Sequence, residues 1–315
     1  MIIKKYIIVA HDNPFQLKRL IERLDGDKVF FYIHIDLKSD LNSFSSIIDK
    51  KNIIFINERV DCIWGDFSMA IATISLLKNA IADKIPDSRI ILLSGHDYPI
   101  RNNEHIDEYL SQNREYEFIN FVLDPIPLDH DMHASRVKQY KINFSSKRGD
   151  FILLDGGFSN SNSLKILLRL FIKRRIKTKD LFNLLSVERK NIFIENYKGS
   201  NWLSLTYATT VKVLDYIHIN EKKLYNYYTY TLCAEELFFH TILKKIMEKD
   251  ISIKVKPNLH FIDWDRKNVP LPVTFKREDI QLLMQQPAHK LFARKFDVSI
   301  DEHILDLLDE KMIIQ

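Results

Sequence analysis

The feature that most limits the possible folds of this 315-residue chain is an alternation of strand-like and helix-like segments. This alternation extends over more than a third of the chain. Short apolar runs predict five strands, and amphipathic stretches between them predict four helices. The strands are Tyr6–Ala10, Val29–Ile35, Ile53–Ile56, Arg89–Leu93 and Glu117–Phe121; the helices are Phe15–Leu24, Leu41–Ile48, Phe67–Ala82 and Asn103–Ser111. This order predicts an α/β fold, with a mainly parallel central sheet and helices on both faces.

Polar side chains follow three of these predicted strands. His11 and Asp12 come after the first strand, Asp36 follows the second, and Ser94-Gly95-His96-Asp97 follows the fourth. Open parallel sheets bind their ligands outside the carboxyl ends of the strands. The pattern therefore predicts a binding site at this edge. The simpler alternative is that each aspartate caps the helix that follows it.

Glycine is scarce in this chain. Its seven glycines form neither G-x-G-x-x-G nor G-x-x-x-x-G-K-[ST]. The backbone cradles that hold dinucleotides or P-loop phosphates are therefore not expected. A ligand that contains phosphate would have to be held by side chains.

Composition excludes several classes of protein. With 46% hydrophobic and 28% charged residues, the chain is typical of globular proteins, and no apolar run reaches the ~20 residues of a membrane span. A net charge of +4 gives no reason to expect a nucleic-acid partner. Cys62 and Cys233 are too few for a disulfide framework, and the first residues show no signal-peptide pattern. We therefore expect a cytoplasmic protein.

The pattern changes beyond residue 121. Residues 122–198 predict an irregular and basic insert, with a loop over residues 150–163. Residues 199–315 predict a second αβ portion within the same single domain. Its predicted elements are the strands Trp202–Thr206 and Ile251–Val255 and the helices Thr209–Ile217, Ala234–Glu248 and Asp301–Lys311.

The segment Leu164–Leu185 of this insert is apolar and strongly basic. Residues 165–179 hold seven lysines and arginines and no acidic residue. The spacing of the leucines predicts a helix with an apolar side and a cationic side, which suits a helix that lies on an anionic membrane. Two alternatives are that the apolar side packs on the rest of the protein, or that the segment holds an acidic glycan.

Aromatic and acidic residues add two candidate features. Trp64, Trp202 and Trp264 stand among polar residues, which suits stacking on a sugar or a base, although each could instead anchor the core. Glu235 and Glu236 open an apolar helix. They either complement the helix dipole or hold a base beside a cleft.

Pairs of charged residues add two more candidate features. Arg266-Lys267 and Arg294-Lys295 could neutralise a diphosphate without a metal, or could be solvated surface. Asp129-x-Asp131 and Asp263-x-Asp265 have the spacing of an Asp-x-Asp metal motif, although that spacing is common.

Seven segments, taken in order, resemble glycosyltransferase family 14, the Branch family. This family includes the core 2/I-branching β-1,6-N-acetylglucosaminyltransferases and the peptide O-xylosyltransferases. The segments are Tyr32–Lys38, Ile63–Gly65 with Ser68, Leu93–Ile100, Gly199–Trp202, Glu236–Thr241, Ile262–Lys267 and Leu291–Asp297. They span nearly the whole chain. The stretches Thr231–Thr241 and Trp264–Lys267 look most like the xylosyltransferase branch.

The resemblance implies a GT-A-type nucleotide-sugar transferase fold and an inverting reaction that uses no metal or other cofactor. By this resemblance residues 1–121 bind the nucleotide of a UDP-sugar, and residues 199–315 bind the acceptor and the diphosphate. Glu236 would be the catalytic base. The implied donor-binding residues are His11, Asp36, Trp64, Asp97, Arg266, Lys267 and Lys295, and the implied acceptor-binding residues are Asn201, Trp202 and Glu235.

The acceptor is less defined by the resemblance. A composition rich in Lys, Ile and Asn is typical of a bacterial protein, so we expect a surface polysaccharide or lipid-linked oligosaccharide acceptor, with N-acetylglucosamine or xylose as the transferred sugar. We also expect peripheral contact with the inner face of the membrane through residues 164–185. Two other interpretations stay open: a metal-dependent transferase that uses Asp263 and Asp265, and a non-catalytic carbohydrate-binding protein.

Overall fold

The computed structural model of the protein describes residues 2–122, 126–127, 134–155, 161–176, 178–186, 189–190 and 192–314. The strands are β1 Ile3–Ala10, β2 Val29–Ile35, β3 Ile53–Phe55, β4 Ser88–Ser94, β5 Asp97–Pro99, β6 Tyr116–Ile119, β7 Ile126–Pro127, β8 Tyr140–Asn143, β9 Phe151–Leu154, β10 Glu195–Asn196, β11 Leu203–Thr206, β12 Lys254–Lys256, β13 His260–Ile262 and β14 Phe292–Arg294. The helices are α1 Pro14–Leu24, α2 Asn42–Ser45, α3 Ser68–Ile81, α4 Asn103–Gln112, α5 Ala134–Lys138, α6 Ser161–Ile172, α7 Thr178–Ser186, α8 Tyr207–Tyr228, α9 Glu235–Met247, α10 Ile280–Met284, α11 Val298–Asp301 and α12 His303–Ile314.

Seven strands form the central sheet, in the order β12-β6-β11-β4-β1-β2-β3. The pairs β4–β1, β1–β2, β2–β3 and β12–β6 are parallel, whereas β11 runs antiparallel to both β4 and β6. The predicted α/β fold with a mainly parallel sheet is therefore confirmed. Among the described residues, no helix is both long and apolar enough to cross a membrane.

Each face of the sheet has its own apolar core, because alternate side chains of a strand point to opposite faces. In β1, Tyr6 and Ile8 belong to the core that includes residues of α1, α4 and α12, whereas Ile7 belongs to the core that includes residues of α3, α8 and α9. These three residues have no exposed surface. Helices therefore cover both faces and leave the carboxyl ends of the parallel strands to form a site.

A second, three-stranded sheet brings the C-terminal segments to that edge. β14 lies between β13, to which it is parallel, and β5, to which it is antiparallel, and its register places Arg294 opposite Asp97. Two motif segments separated by about two hundred residues of chain thus become neighbours by backbone pairing.

Several sequence predictions for residues beyond 121 are wrong or too short. Within 122–198, the described residues include an antiparallel pair, β8 with β9, and the strand β9 (Phe151–Leu154) falls where a loop was predicted. The basic segment forms two helices, α6 and α7, and the chain between them turns at Arg174, whose φ of 54° does not continue a helix. The predicted helix Thr209–Ile217 extends to Tyr228, since Leu224 and Tyr228 remain buried against the core.

Candidate active site

The predicted polar edge exists. The backbone N–H of Asp36 donates to Ala10 O at the end of β1 (2.8 Å), and the N–H of Gly95 donates to Val9 O (3.1 Å). The ends of β1, β2 and β4 therefore lie side by side. His11, Asp12, Asp36 and His96 gather there, as the sequence predicts.

Two imidazoles and a carboxylate meet at this edge. His96 Nε2 lies 3.0 Å from Asp12 Oδ1, and His11 Nε2 lies 3.4 Å from Asp12 Oδ2. His96 Nδ1 is 2.8 Å from the carbonyl oxygen of Phe296, a contact that directs Nε2 at Asp12. Burial alone would raise the pKa of Asp12, but the hydrogen bond and charge of His96 lower it. Within the described part of the chain, this is the grouping of side chains that could hold a metal ion.

Asp36 occupies the floor of the same edge and is almost fully buried. Its carboxylate accepts a hydrogen bond from the backbone N–H of Lys38 (2.9 Å) and pairs with Lys38 Nζ (3.0 Å). Lys38 Nζ also pairs with Asp61 and donates to Cys62 O (2.7 Å). The lysine thus ties the end of β2 to the loop that carries Trp64.

Asp97 is fully buried and holds a second cation in place. Asp97 Oδ1 accepts from Arg294 Nη1 (3.0 Å), Oδ2 lies 3.4 Å from His260 Nε2, and the backbone N–H and the hydroxyl of Ser94 also donate to this carboxylate. The Arg294 guanidinium lies 5.1 Å from the centre of the Trp202 ring, which itself stacks on His260 at 4.6 Å. Asp97 has no exposed surface and so cannot contact a ligand directly. Any effect of Asp97 on a bound ligand would pass through Arg294.

The two basic pairs differ in how much of their charge is free. Arg266 pairs with Asp263 (3.0 Å) and with Asp279 (2.8 Å), so its charge is already balanced. Lys267 is exposed and Lys295 is half-buried. Among the described side chains, no carboxylate lies within ion-pair distance of either lysine. Arg294 pairs with one carboxylate, Asp97, whereas Arg266 pairs with two. The least balanced positive charge of the two basic pairs therefore lies at Lys295 and Lys267, followed by Arg294.

The Asp-x-Asp motif at Asp263 is bound within its own turn. Asp263 Oδ1 accepts from the backbone N–H groups of Asp265 (3.1 Å) and Arg266 (3.2 Å), and Oδ2 pairs with Arg266. In the described residues, the metal-type grouping lies instead at His11, Asp12 and His96. The other motif, Asp129-x-Asp131, lies outside the described residues.

Glu236, the predicted base, lies in the first turn of α9 with about a third of its side chain exposed. Its Oε2 pairs with Arg136 Nη1 at 2.7 Å and with Lys198 Nζ at 3.7 Å. No described residue donates to Oε1. The two cations therefore fix the carboxylate and leave one oxygen available to a hydroxyl group.

Glu235 points the other way, into the protein. It is buried, and its Oε2 has no hydrogen-bond partner among the described residues. Burial raises the pKa of its carboxyl to about 8, and the negative charges of Glu236 and Asp66 add to the effect. Consecutive residues at the start of one helix thus have unlike environments.

We expect Glu235→Gln to stabilise the protein, increasingly so as the pH rises. Because the pKa of this carboxyl is higher in the folded state, Glu235 does not lower the stability of the fold at a pH below its ordinary pKa of 4.5. The loss of unfolding free energy grows as the pH rises and is complete once the pH passes about 8. Glutamine keeps the shape of the side chain and cannot ionise, so its advantage in unfolding free energy should grow by roughly 3 kcal/mol between pH 5 and pH 8. Thermal unfolding from pH 5 to pH 8 measures it. A gap between variant and wild type that does not change with pH would contradict the assignment.

Two glycines fix the helix that carries Glu236. Gly65, in the left-handed region at φ 62°, accepts from the backbone N–H of Cys233 (2.9 Å), just before α9. Gly199 donates its N–H to Glu236 O (2.9 Å), and a Cβ on Gly199 would lie 1.8 Å from Asn120 O. Only glycine fits this approach, so Gly199 joins the segment with Asn201 and Trp202 to the start of α9.

The three tryptophans have different environments. Trp202 is buried, whereas Trp64 and Trp264 are exposed. The ring of Trp64 lies 4.5 Å beneath the Arg148 guanidinium, and its carbonyl oxygen accepts from Lys141 Nζ (3.0 Å), so β8 and the loop after it pack on this side of the site. Asn201 Oδ1 is buried without a partner among the described residues.

Arg136 and Lys198 are missing from the sequence predictions, and Arg294 is predicted only as one member of a basic pair that could neutralise a diphosphate. Arg136 meets Glu236 across a hundred residues of chain, and no local pattern marks such a pairing. Arg294 carried a signal, since it stands beside Lys295. The sequence does not show that Asp97 anchors Arg294.

A sequence model of the family described as core-2/I-branching enzyme (Branch) matches residues 6–283. Similar proteins include xylosyltransferase 2 of Mus musculus, 28% identical over 325 residues, and of Homo sapiens, 27% identical over 325 residues. Xylosyltransferase 1 of Rattus norvegicus is 24% identical over 336 residues. Each alignment covers 96% of this chain but only 33–35% of the relative, so the chain spans about a third of the length of the curated relatives it matches.

Among solved structures, the apo form of mouse xyloside xylosyltransferase 1 aligns with 92% of this chain and 97% of that chain. The TM-score of this alignment is 0.35 and the sequence identity is 10%.

Proposed function

The chain belongs to the core-2/I-branching enzyme family, and we propose that it is an inverting, metal-independent glycosyltransferase. In this proposal it moves N-acetylglucosamine or xylose from a UDP-sugar to a hydroxyl group of a glycan acceptor. The family and the xylosyltransferase relatives support glycosyl transfer from a nucleotide sugar. The identity of the sugar, the acceptor and the role in bacterial surface polysaccharide synthesis are part of the proposal.

One observation carries the proposal: direct contacts join the motif segments around one site. The end of β2 is tied through Lys38 to the loop of Trp64, and that loop is tied through Gly65 to the start of α9. Gly199 links α9 to Trp202, and Trp202 lies under Arg294, which Asp97 anchors at the start of β5. An apolar core packs without carboxylates and cations. Their presence in this series of contacts therefore supports a binding site rather than packing alone.

In the proposed reaction, Glu236 takes up the proton of the acceptor hydroxyl group. As the acceptor oxygen bonds to the anomeric carbon, its proton passes to the free Oε1 of Glu236. The bond from the anomeric carbon to the diphosphate oxygen breaks on the opposite face, and its electron pair leaves with UDP. The transition state resembles an oxocarbenium ion, as in glycosidases.

Negative charge that develops on the leaving diphosphate needs positive charge already in place. Arg294 and Lys295 stand at the end of β14 beside the polar edge, and Lys267 follows β13. Arg294 is held rigid by Asp97 and Trp202, so little reorganisation is needed when charge appears. In this proposal Asp36, His11 and Trp64 bind the uridine.

A thermal-shift screen with UDP-sugars, followed by product analysis, tests the proposed function. A ligand that binds the folded state raises the unfolding midpoint by mass action, so the true donor should give the largest shift. An inverting transfer should convert an α-linked UDP-sugar into a β-linked product, which NMR of the anomeric proton shows. If glycans stabilise the protein whereas UDP and every UDP-sugar do not, the carbohydrate-binding alternative is correct.

We expect transfer to continue in excess EDTA, because side-chain cations supply the charge on the diphosphate side. Initial rates with and without chelator, and after addition of Mn²⁺, measure this. If EDTA abolishes transfer and Mn²⁺ restores it, metal independence is wrong. Asp12→Asn would then locate the metal, since this change removes the carboxylate between His11 and His96.

A further inference from the structure

Helix α6 has one apolar face that is covered and a second that is not. Leu167 is buried, and Ile166 and Leu170 pack against the small apolar cluster that includes Ile142 and Leu184. This accounts for one side of the helix. The alternative in which the whole apolar side packs on the protein is therefore incomplete.

The uncovered face consists of four large side chains. Leu164, Leu168, Phe171 and Ile172 are 40%, 50%, 37% and 78% exposed. Because successive helical residues turn by about 100°, these four lie within roughly 100° of one another, beside the buried face. They form one contiguous apolar strip on the outside of α6.

Unpaired cations border this strip. Lys165 and Arg169 lie on the next face of the helix, and Lys173 and Arg174 follow its last residue. No described residue forms an ion pair with any of these four. Arg175, by contrast, pairs with Asp150 (3.3 Å). No acidic residue occurs from 161 to 176, so the charge beside the strip is uniformly positive.

We propose that this surface, the exposed strip of α6 with its bordering cations, docks on an anionic phospholipid bilayer. The interface of such a bilayer offers an apolar layer for Leu164, Leu168, Phe171 and Ile172 and, directly above it, phosphate groups for the cations. A second copy of the chain would instead bring two sets of unpaired cations together. An acidic glycan would meet the cations but leave the apolar strip in water.

Co-sedimentation of the full chain with vesicles tests the proposal. The wild type should pellet with a one-to-one mixture of phosphatidylglycerol and phosphatidylcholine, be released by added salt, and stay in solution with phosphatidylcholine alone. Lys173→Gln with Arg174→Gln should weaken binding about 25-fold, because each cation near such a surface contributes about fivefold. Phe171→Ser with Ile172→Ser should weaken it at least tenfold through loss of apolar insertion.

Matched controls come from α8, which has exposed residues of the same types. Lys222→Gln with Lys223→Gln removes the same charge, and Ile219→Ser removes an apolar side chain that is 79% exposed. Both should bind vesicles as the wild type does. All the replaced side chains are exposed, so the unfolding midpoints of the variants should equal that of the wild type. If the Phe171→Ser with Ile172→Ser variant has a lower midpoint, Leu168→Ser takes its place.

Three results would overturn the proposal. They are a wild type that stays in solution at low salt, α8 controls that lose binding equally, and serine variants that bind as well as the wild type. The last would indicate anion binding alone, as for an acidic glycan. The assay contains no donor sugar, so its failure leaves the proposed transferase activity untouched, and a catalytic failure leaves this surface untouched.

Discussion

Glu236→Gln should lower the rate of sugar transfer by about 10²–10⁴-fold while UDP still binds with near wild-type affinity. Glutamine has almost the same shape as glutamate, and its carbonyl oxygen can still accept from Arg136, which contacts Oε2 at 2.7 Å. The replacement therefore keeps the packing and removes the group that takes the acceptor proton. Initial rates at saturating donor and acceptor, with UDP titration calorimetry on the same preparation, measure both quantities.

Glu235→Gln is the matched control, because it makes the same chemical change one residue away. Glu235 is buried and directed into the protein, so its variant should transfer sugar at close to the wild-type rate. If Glu235→Gln is inactive and Glu236→Gln is nearly normal, the base has been assigned to the wrong residue. Loss of UDP binding in Glu236→Gln would instead point to a distorted site.

The sequence predicts the first part of the fold well, for a physical reason. In residues 3–94 each strand is a short apolar run, α1 has one apolar face and α3 is buried around most of its circumference, so local pattern and final environment agree. The pattern cannot predict direction, since the antiparallel β11 lies between β4 and β6 in the same sheet as the parallel strands. Its pairing partners lie far away in the chain.

The segment from β8 to α7 is harder to predict from sequence because its strands and helices pack on a separate, small cluster. β8, β9 and α6 share only a few buried residues, among them Ile142, Leu154 and Leu167. Short strands with so little buried surface carry a weak pattern, which is why the sequence predicts a loop where β9 lies. The same sparse packing leaves one face of α6 uncovered.

The site follows from the sequence in part. The strand-end residues His11, Asp36 and His96 come together because parallel strands end at one edge, a rule that needs no structure. The partners of each charge could not be predicted. Arg266 and Arg294 look alike in sequence, but the first lies between Asp263 and Asp279, whereas the second lies on Trp202 with a buried aspartate behind it.

The different surroundings of the two arginines predict that Arg294→Ala weakens UDP binding by about 30- to 150-fold, since a charge-assisted bond to phosphate contributes roughly 2–3 kcal/mol. The same change should lower the unfolding free energy by about 3–5 kcal/mol, because Asp97 keeps its burial and loses its cation. Arg294→Lys should recover little of either effect, since an ammonium group reproduces neither the contact of the guanidinium with the Trp202 ring nor its fork of N–H donors. Titration with UDP and thermal unfolding measure the two effects.

Two further variants separate binding from folding. Lys295 has no carboxylate partner among the described residues, so Lys295→Ala should weaken UDP binding without a comparable loss of stability and should leave uridine binding unchanged, because uridine has no diphosphate. Arg266→Ala should leave UDP binding nearly intact, since two carboxylates, Asp263 and Asp279, balance the charge of Arg266, whereas one described carboxylate, Asp97, pairs with Arg294. If Arg266→Ala abolishes UDP binding while Arg294→Ala retains it, the diphosphate lies against Arg266. The ion pairs of Arg266 would then have to open when the donor binds.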